Sequence, residues 1–170
     1  KMETTAGNFK IEVNREWAPL GADRIKNLVK NAYFTDVAFF RVIAGFKAQA
    51  GFNGNTAVSH VWLNSRIKDD PVTQSNSPGM VTFANGGPNT RSAQFFINYG
   101  DNSYLDKSGF APFGQVVEGL ESVSELYNGY GEGQPNGKGP AQGKAYRLGN
   151  DYFKAEFPEL DYITRASIIE

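Results

Sequence analysis

Cysteine is absent from the 170-residue chain, and histidine occurs only once, as His60. The absence of cysteine excludes disulfide bonds, thiolate zinc sites, iron–sulfur clusters and cysteine nucleophiles. A single histidine excludes a multi-histidine metal site and leaves any serine–histidine chemistry dependent on His60. Because the sequence also lacks a G-x-S-x-G nucleophile elbow, we predict a packed or surface position for His60 rather than a catalytic one.

Neither sign of charge is in excess, and no long apolar run occurs. Lysine and arginine total 17 and aspartate and glutamate total 18, so the formal net charge is −1. Proteins that bind nucleic acids or anionic membrane surfaces usually carry a basic excess, so neither class of partner is expected. The absence of a run of about 18 apolar residues predicts that no helix spans a membrane. The length suits one domain with one hydrophobic core.

Glycine and aromatic residues are abundant, with 19 Gly, 13 Phe and 8 Tyr. This composition predicts a β-rich domain with tight turns. Polar and apolar residues alternate from Phe9 to Val13, as in a half-buried strand, whereas apolar residues from Ala22 to Ala32 recur at helical spacing. Further strands are predicted at 2–5, 37–51, 79–83, 92–97, 113–117 and 162–169, and a second helix at 120–127. Because helices do not alternate regularly with strands, the pattern predicts an antiparallel barrel or sandwich with helices at its ends.

The remaining segments are predicted to be loops and turns, apart from a short helix at 152–157 that Pro158 ends. Residues 53–77 contain a charged run, 66–70, for which we expect a solvated turn. The Gly- and Pro-rich stretch at 129–143 lacks both phosphate-loop patterns, so a surface loop is expected. Turn and capping roles are expected for the acidic pairs, Asp69 with Asp70 and Asp101 with Asp106.

Three segments combine aromatic residues with polar groups that can carry chemistry. The first, Phe39–Gly51, places Arg41 among apolar neighbours, where a guanidinium must be hydrogen-bonded, and Gln49 has the strand parity of a partner. The alternative is an arginine that extends from an edge strand into water. The second segment is Phe83–Ile97, and the third combines Tyr104-Leu105-Asp106 with Phe110–Gly114.

In order and spacing, these segments resemble the cyclophilins, the peptidyl-prolyl cis–trans isomerases. The family patterns are F-x-R-[VI]-I-x-G-F-x-x-Q-x-G, [FM]-A-[NR]-x-G-P-N-[TS], S-Q-F-F-I, L-[DN] and F-G-x-V, and the resemblance covers residues 2–127 and 162–169. It implies a mostly β fold, a closed eight-stranded antiparallel barrel capped by two helices. It also implies a single domain over residues 1–170, with an extended loop near 129–150 and a carboxy-terminal segment at 151–170.

The resemblance also implies a set of site residues. The family's catalytic arginine corresponds to Arg41 and its supporting glutamine to Gln49. The substrate-binding positions correspond to Phe46, Ala84, Asn85, Gln94, Phe96, Tyr104, Leu105 and Phe110. Within this set, the walls of the proline pocket would be Phe46, Phe96, Leu105 and Phe110, and the extended peptide would be held by Ala84, Asn85 and Gln94.

Four positions depart from the common family pattern. Lys47 stands where an apolar methionine often lines the pocket, so the rim would be more polar and would favour acidic neighbours of the proline. Phe110 replaces a histidine and keeps an apolar wall, and Phe40 also stands where many members have histidine. Tyr104 replaces a tryptophan, and because the indole N–H donor is lost, we expect only weak cyclosporin binding.

The resemblance implies an enzyme that accelerates rotation about X–Pro bonds in peptides and folding proteins. Rotation breaks no covalent bond, so neither a nucleophile nor a metal nor a cofactor is expected. The expected partners are proline-containing peptides and unfolded proteins, and the absence of a heptad seam favours a monomer. An exported or periplasmic location is favoured over a cytoplasmic one, because the segment 157–162 resembles that of bacterial exported forms.

The sequence leaves three other functions open. The departures at Lys47 and Tyr104 motivate a module that binds proline-containing peptides without turnover. The long loop and the carboxy-terminal segment motivate a chaperone that holds unfolded polypeptides. Trp17, Trp62 and exposed tyrosines would suit a carbohydrate-binding domain, although such aromatic residues more often belong to a core.

Overall fold

The structure, a computed structural model that describes residues 1–170, is dominated by one antiparallel sheet. Its nine strands are β1 (Met2–Thr4), β2 (Gly7–Val13), β3 (Val37–Ala38), β4 (Arg41–Ile43), β5 (Lys47–Ala50), β6 (Met80–Phe83), β7 (Phe95–Asn98), β8 (Pro112–Glu118) and β9 (Tyr162–Ala166). In space their order is β3-β9-β1-β2-β8-β6-β7-β5-β4. Every neighbouring pair is antiparallel, so the predicted mostly β, antiparallel class is confirmed.

The two edge strands of the sheet, β3 and β4, are consecutive in the chain, and only Phe39 and Phe40 separate them. The sheet therefore curls so that its two edges come close together. The Phe39 N–H still donates to the carbonyl of Asp161, next to β9, whereas Arg41 already pairs with Gln49 on β5. The chain thus exchanges one partner strand for another within two residues, and no hydrogen-bonded ladder joins β3 to β4. The predicted closed barrel of eight strands is therefore corrected to a curled half-barrel of nine.

Five α-helices accompany the sheet, rather than the two that were expected. They are α1 (Pro19–Lys30), α2 (Thr56–Leu63), α3 (Leu120–Ser124), α4 (Gln142–Leu148) and α5 (Asn150–Glu156), and a 3₁₀ helix spans Ser103–Ser108. Helix α4 lies in the segment near 129–150 that was predicted as an extended loop, and α5 agrees with the short helix predicted at 152–157. None of these helices has the length and apolar character needed to cross a bilayer.

Helix α2 lies where the sequence predicted a loop. Asn55 caps it, because its side-chain oxygen accepts hydrogen bonds from the N–H groups of Ala57 and Val58. Only Ser59 of this helix is buried, so the helix leaves no clear apolar period in the sequence. His60 stacks on Tyr146 of α4, with ring centroids 4.1 Å apart, so of the two predicted positions, packed or at the surface, the packed one is observed.

Two hydrophobic clusters meet at Phe39 and Phe40, the two residues that link β3 to β4. Phe39 belongs to the main core of 22 buried residues, which is enclosed by the sheet and α1. Phe40 belongs to a second cluster of eight, where its ring stacks on Phe153 of α5 and contacts Phe52. Phe40 thus packs the carboxy-terminal helices against the end of the sheet.

The first turn of α1 is stabilised by a carboxylate from a distant segment. Ala18 precedes the helix and offers no side-chain cap, but Asp70 accepts hydrogen bonds from the N–H groups of Leu20 (3.1 Å) and Gly21 (2.9 Å). Asp70 also pairs with Arg91 at 3.0 Å, and both side chains are only 2% exposed. The capping role predicted for Asp70 is confirmed, whereas the solvated turn predicted for the charged run is wrong at this residue, because Arg91 compensates its burial.

Candidate functional site

The sheet register brings the predicted catalytic pair together on one face. Arg41 lies opposite Gln49 in the β4–β5 pair, and Gln49 lies opposite Phe96 in the β5–β7 pair. Side chains alternate across a strand, so Arg41, Gln49 and Phe96 project from the face opposite the one that carries Val42 and Ala48 into the main core. The shared parity of Arg41 and Gln49 that the sequence predicted is confirmed.

Arg41 is held within a chain of side-chain hydrogen bonds. Its Nη1 donates to Gln49 Oε1 at 3.0 Å, and Gln49 Nε2 donates to Gln94 Oε1 at 2.8 Å. The Arg41 side chain is only 20% exposed, so it does not extend freely into water as the alternative prediction required. Gln49 is buried, which fixes the geometry of the acceptor.

A glutamate that the sequence did not single out holds the other edge of the guanidinium. Arg41 Nε donates to Glu132 Oε1 at 2.7 Å, and Arg41 Nη2 donates to Oε2 at 2.6 Å. The Gly133 N–H donates to the same carboxylate at 2.8 Å, and Gly131 forms a β-bridge with Val42. The hydrogen bond from Arg41 is the main reason why the pKa of Glu132 is lowered. No sequence signal points to this contact, because 91 residues separate the partners and the loop is rich in glycine.

The predicted apolar pocket residues surround this polar group. Phe96 and Phe110 pack edge to face with centroids 5.9 Å apart, and the Arg41 guanidinium lies 5.9 Å from the centroid of Phe46. Leu105 is half-buried on the 3₁₀ helix, whereas Tyr104, one residue earlier, is 55% exposed. Phe96 and Phe110 are therefore in direct contact and Phe46 lies beside Arg41, whereas no aromatic contact connects Tyr104 to them.

Lys47 occupies a more enclosed position than the pocket rim that the sequence suggested. Lys47 is only 7% exposed. Its Nζ lies 4.3 Å from the ring centroid of Phe96 and 5.0 Å from that of Phe46. Burial, with a further contribution from the positive charge of Arg41, lowers the pKa of Lys47 to about 8. The negative charge of Glu132 acts in the opposite direction.

The residues predicted to hold a peptide backbone lie where β6 ends and β7 begins. The Ala84 N–H donates to the carbonyl of Gln94 at 2.9 Å, which extends the β6–β7 pairing to these positions. The Asn85 side chain accepts a hydrogen bond from the Gly87 N–H at 3.2 Å and shapes the following turn. The structure thus places Ala84, Asn85 and Gln94 on one stretch of the sheet that continues toward Gln49.

A buried amide network supports the pocket walls from behind. Asn102 Nδ2 donates to the carbonyl of Phe46 at 2.9 Å and to Asn98 Oδ1 at 2.7 Å. Asn76 Nδ2 donates to the carbonyl of Phe110 at 2.9 Å and to Asp106 Oδ1 at 2.8 Å. Both N–H bonds of Asn76 Nδ2 and of Asn102 Nδ2 find acceptors, so the network fixes the backbone at Phe46 and Phe110, two of the predicted pocket residues.

Acidic residues in this region take the structural roles that the sequence predicted. Burial raises the pKa of Asp106, but hydrogen bonds from Ser75 and Asn76 outweigh it and leave the pKa below its ordinary value. Asp101 accepts a hydrogen bond from the Ser103 N–H at 3.0 Å at the start of the 3₁₀ helix. The predicted capping role of Asp101 is confirmed, whereas the carboxylate of Asp106 ties the 3₁₀ helix to Ser75 and Asn76.

Comparison with known proteins agrees with this arrangement. Residues 1–144 match the model of the family described as cyclophilin type peptidyl-prolyl cis-trans isomerase/CLD. The chain belongs to the cyclophilin family. Of the residues that carried the resemblance in the sequence, Arg41, Gln49 and Phe96 share one face of the sheet. Others, such as Phe39 and Val42, belong to the main core.

Relatives of this cyclophilin come from distant organisms. The chain is 34% identical to peptidyl-prolyl cis-trans isomerase-like 3 of Rattus norvegicus over 154 residues, which are 88% of each protein. It is 32% identical over 134 residues to a peptidyl-prolyl cis-trans isomerase of Acinetobacter baylyi, covering 75% of this chain and 71% of the relative. A crystal structure of a cyclophilin type peptidyl-prolyl cis-trans isomerase from Cryptosporidium parvum, determined in the presence of the dipeptide Ala-Pro, shares the fold. Its TM-score is 0.72 at 18% identity, with 99% of this chain and 97% of that chain covered.

Proposed function

We propose that this cyclophilin is a peptidyl-prolyl cis–trans isomerase that accelerates rotation about X–Pro bonds in peptides and folding proteins. The observation that carries the proposal is the guanidinium of Arg41, held by Gln49 and Glu132 beside the ring of Phe46. A fixed donor next to an apolar wall suits a reaction that needs electrostatic stabilisation and no covalent chemistry.

The reaction barrier comes from amide resonance. Rotation about an X–Pro bond meets a barrier of about 18–20 kcal/mol and takes tens to hundreds of seconds without a catalyst. In the twisted state resonance is lost, and the prolyl nitrogen regains a lone pair that a planar amide does not offer. A donor aimed at that nitrogen therefore stabilises the twisted state more than either planar state, which is the requirement for catalysis.

Arg41 has donors available for this task. A guanidinium carries five N–H bonds, of which Glu132 engages two and Gln49 one, so one on Nη1 and one on Nη2 remain for a substrate. Arginine side chains keep their charge at every working pH, so the donor is always present. The contacts that hold three of the N–H bonds reduce the reorganisation required when the twisted state forms.

The surrounding residues suit a proline-containing peptide. We propose that Phe46, Phe96, Leu105 and Phe110 contact the proline ring while the residue before it rotates. Ala84, Asn85 and Gln94 would hold the extended backbone, and Tyr104, which is exposed, would form the outer margin of the site. The Ala-Pro dipeptide present with the related Cryptosporidium parvum structure supports this choice of substrate.

The test is exchange spectroscopy by NMR on a short Ala-Pro peptide with catalytic amounts of protein. We predict accelerated cis–trans exchange and at least a tenfold loss of rate in Arg41→Ala, because one preorganised donor is worth about 2.7–4 kcal/mol in acyl-transfer enzymes. Arg15→Ala is the matched control, since Arg15 is exposed and pairs only with Asp23. It should retain the wild-type rate.

Circular dichroism accompanies the assay, so that loss of activity is separated from loss of fold. Arg41→Lys provides a second variant that keeps the charge but loses the planar fork, and it should also be slow. A folded Arg41→Ala protein with the wild-type rate would remove Arg41 from the mechanism.

A second candidate function is a module that binds proline-containing peptides without turnover. The observation that favours it is the bidentate pair between Glu132 and Arg41, since a guanidinium whose charge is neutralised is a weaker hydrogen-bond donor to the prolyl nitrogen. It predicts that the wild-type protein shifts the peptide resonances on titration and leaves the exchange rate between isomers unchanged. That result would replace the isomerase proposal.

A further inference from the structure

Lys47 is a buried cation without a counter-ion. It lies on β5 directly after Phe46 and opposite Asn98, and it is only 7% exposed. Its Nζ forms no hydrogen bond and no ion pair within the chain, and its pKa is shifted by burial and by the charges of Arg41 and Glu132. Ring faces attract cations, so Phe46 and Phe96 compensate part of this burial, but neither can accept the three N–H bonds of an ammonium group.

The charged groups nearest to Lys47 do not supply the missing partner. Arg41 carries the same sign of charge. Glu132 carries the opposite sign, but both of its oxygens accept hydrogen bonds from Arg41, and one also accepts from Gly133. The formal charges of Arg41, Glu132 and Lys47 therefore add up to +1, and no other group in the chain pairs with Lys47.

The ammonium group of Lys47 lies at the proposed substrate site. Nζ lies above Phe96 and Phe46, the two rings proposed to contact proline. Buried charges in proteins are normally paired, and an unpaired one at a binding site is available to an incoming anion.

We propose that Lys47 determines substrate specificity by pairing with a carboxylate next to the proline. The carboxylate is either the side chain of an acidic residue that flanks the proline or the terminal carboxylate of a chain that ends at the proline. This inference rests on the proposed function, which places the proline ring in contact with Phe46 and Phe96.

The experiment compares peptides that differ only in the carboxylate. One pair carries Glu or Gln before the proline, a second carries Glu or Gln after it, and a third ends at the proline as a free acid or an amide. Exchange rates and binding are measured by NMR for each pair. Because a hydrogen bond to a charged group is stronger than a neutral one, we expect a preference of about tenfold or more for at least one acidic peptide. The pair that responds identifies the source of the carboxylate.

The variants test whether Lys47 causes the preference. In Lys47→Met, and in Lys47→Gln as a second variant, the ratio between acidic and neutral peptides should fall to about one. Lys10→Met is the matched control, because Lys10 is an exposed lysine of β2 that pairs with Glu118. It should keep the wild-type ratio.

The outcomes separate this inference from the proposed function. Isomerisation of all peptides at equal rates would overturn the role of Lys47 and leave the isomerase proposal standing. Preferential binding of an acidic peptide that is lost in Lys47→Met, without isomerisation of any peptide, would support Lys47 and overturn the isomerase. Equal binding without isomerisation would overturn both.

Discussion

Lys47 and Arg41 are neighbours on the same face of the sheet, yet their positive charges are compensated differently. Arg41 is paired and hydrogen-bonded on both edges of its guanidinium. Lys47 forms no ion pair and lies against the rings of Phe46 and Phe96, and burial lowers its pKa from 10.5 to about 8. A lysine whose pKa is lowered on folding destabilises the folded state wherever the group is still charged.

The sign of this effect gives a prediction for stability. Between about pH 8 and pH 10.5 the unfolded chain binds more protons at this lysine than the folded protein, so the free energy of unfolding rises with pH. We predict that Lys47→Met is more stable than the wild type at pH 7, by up to about 3 kcal/mol. The difference should shrink as the pH approaches 10.5.

Urea unfolding of both proteins at pH 7 and pH 10 measures this difference, and other titrating groups cancel in the comparison. Lys10→Met serves as the control and should unfold like the wild type at both pH values, because its side chain is exposed. Equal stability of Lys47→Met and wild type at pH 7 would contradict the proposed burial cost.

Single residues also show how far the sequence could predict the site. The pairing of Arg41 with Gln49 follows from strand parity over eight residues, which the alternation rule captures. Glu132 could not be predicted in this way, because its contact depends on the path of a loop between two distant parts of the chain. The deep burial of Lys47 was also missed, since a lysine is expected to extend toward water.

At the scale of elements, the loop before α4 is part of the candidate site. Residues 131–133 are joined to β4 by a backbone bridge and by the carboxylate of Glu132. We predict that Glu132→Ala lowers the isomerisation rate several-fold, and less than Arg41→Ala does, because the donor remains but its position is no longer fixed. Glu125→Ala, which removes an exposed carboxylate from the end of α3, is the control for this variant.

The same NMR exchange assay, run at saturating and at low peptide concentration, separates the rate from the binding. A positioning role lowers the rate at saturation and changes binding little. A faster rate in Glu132→Ala would instead show that the carboxylate competes with the substrate for Arg41.

The elements that were predicted differ from those that were missed in how they are stabilised. The β1–β2 hairpin and α1 have strong periodic patterns, and the structure confirms both. Helix α2 was missed because it buries a single residue and depends on the Asn55 cap. The predicted strand over 37–51 became three strands because its parts pair with different partners, β9, β5 and β7.

At the scale of the whole molecule, the second hydrophobic cluster joins the carboxy-terminal helices to the strand that carries Arg41. The ring of Phe40, directly before Arg41, stacks on Phe153 of α5 with centroids 6.3 Å apart. The family match ends at residue 144, so α5 lies beyond it. The carboxy-terminal segment therefore packs directly against the residue that precedes Arg41.

The packing of Phe153 against Phe40 predicts how Phe153→Ala changes stability. A fully buried phenylalanine replaced by alanine leaves a cavity, so we expect a loss of about 3–5 kcal/mol in unfolding free energy. The unfolding transition followed by far-ultraviolet circular dichroism should coincide with that followed by near-ultraviolet circular dichroism of the aromatic residues, because Phe39 and Phe40 link the two clusters. Leu148→Ala, at an exposed position of α4, is the control. Two separate transitions in the wild type would show that the clusters unfold independently.

The half-barrel leaves two sheet edges, β3 and β4, unpaired with each other, and these edges can contact other polypeptide chains. A sheet that is not closed has free edges, and free edges recruit strands from other polypeptides into aggregates. Here the edge strands are only two and three residues long, and the longer one is bridged by Gly131. A protein proposed to act on unfolded chains thus offers them little backbone on which to build a cross-chain ladder.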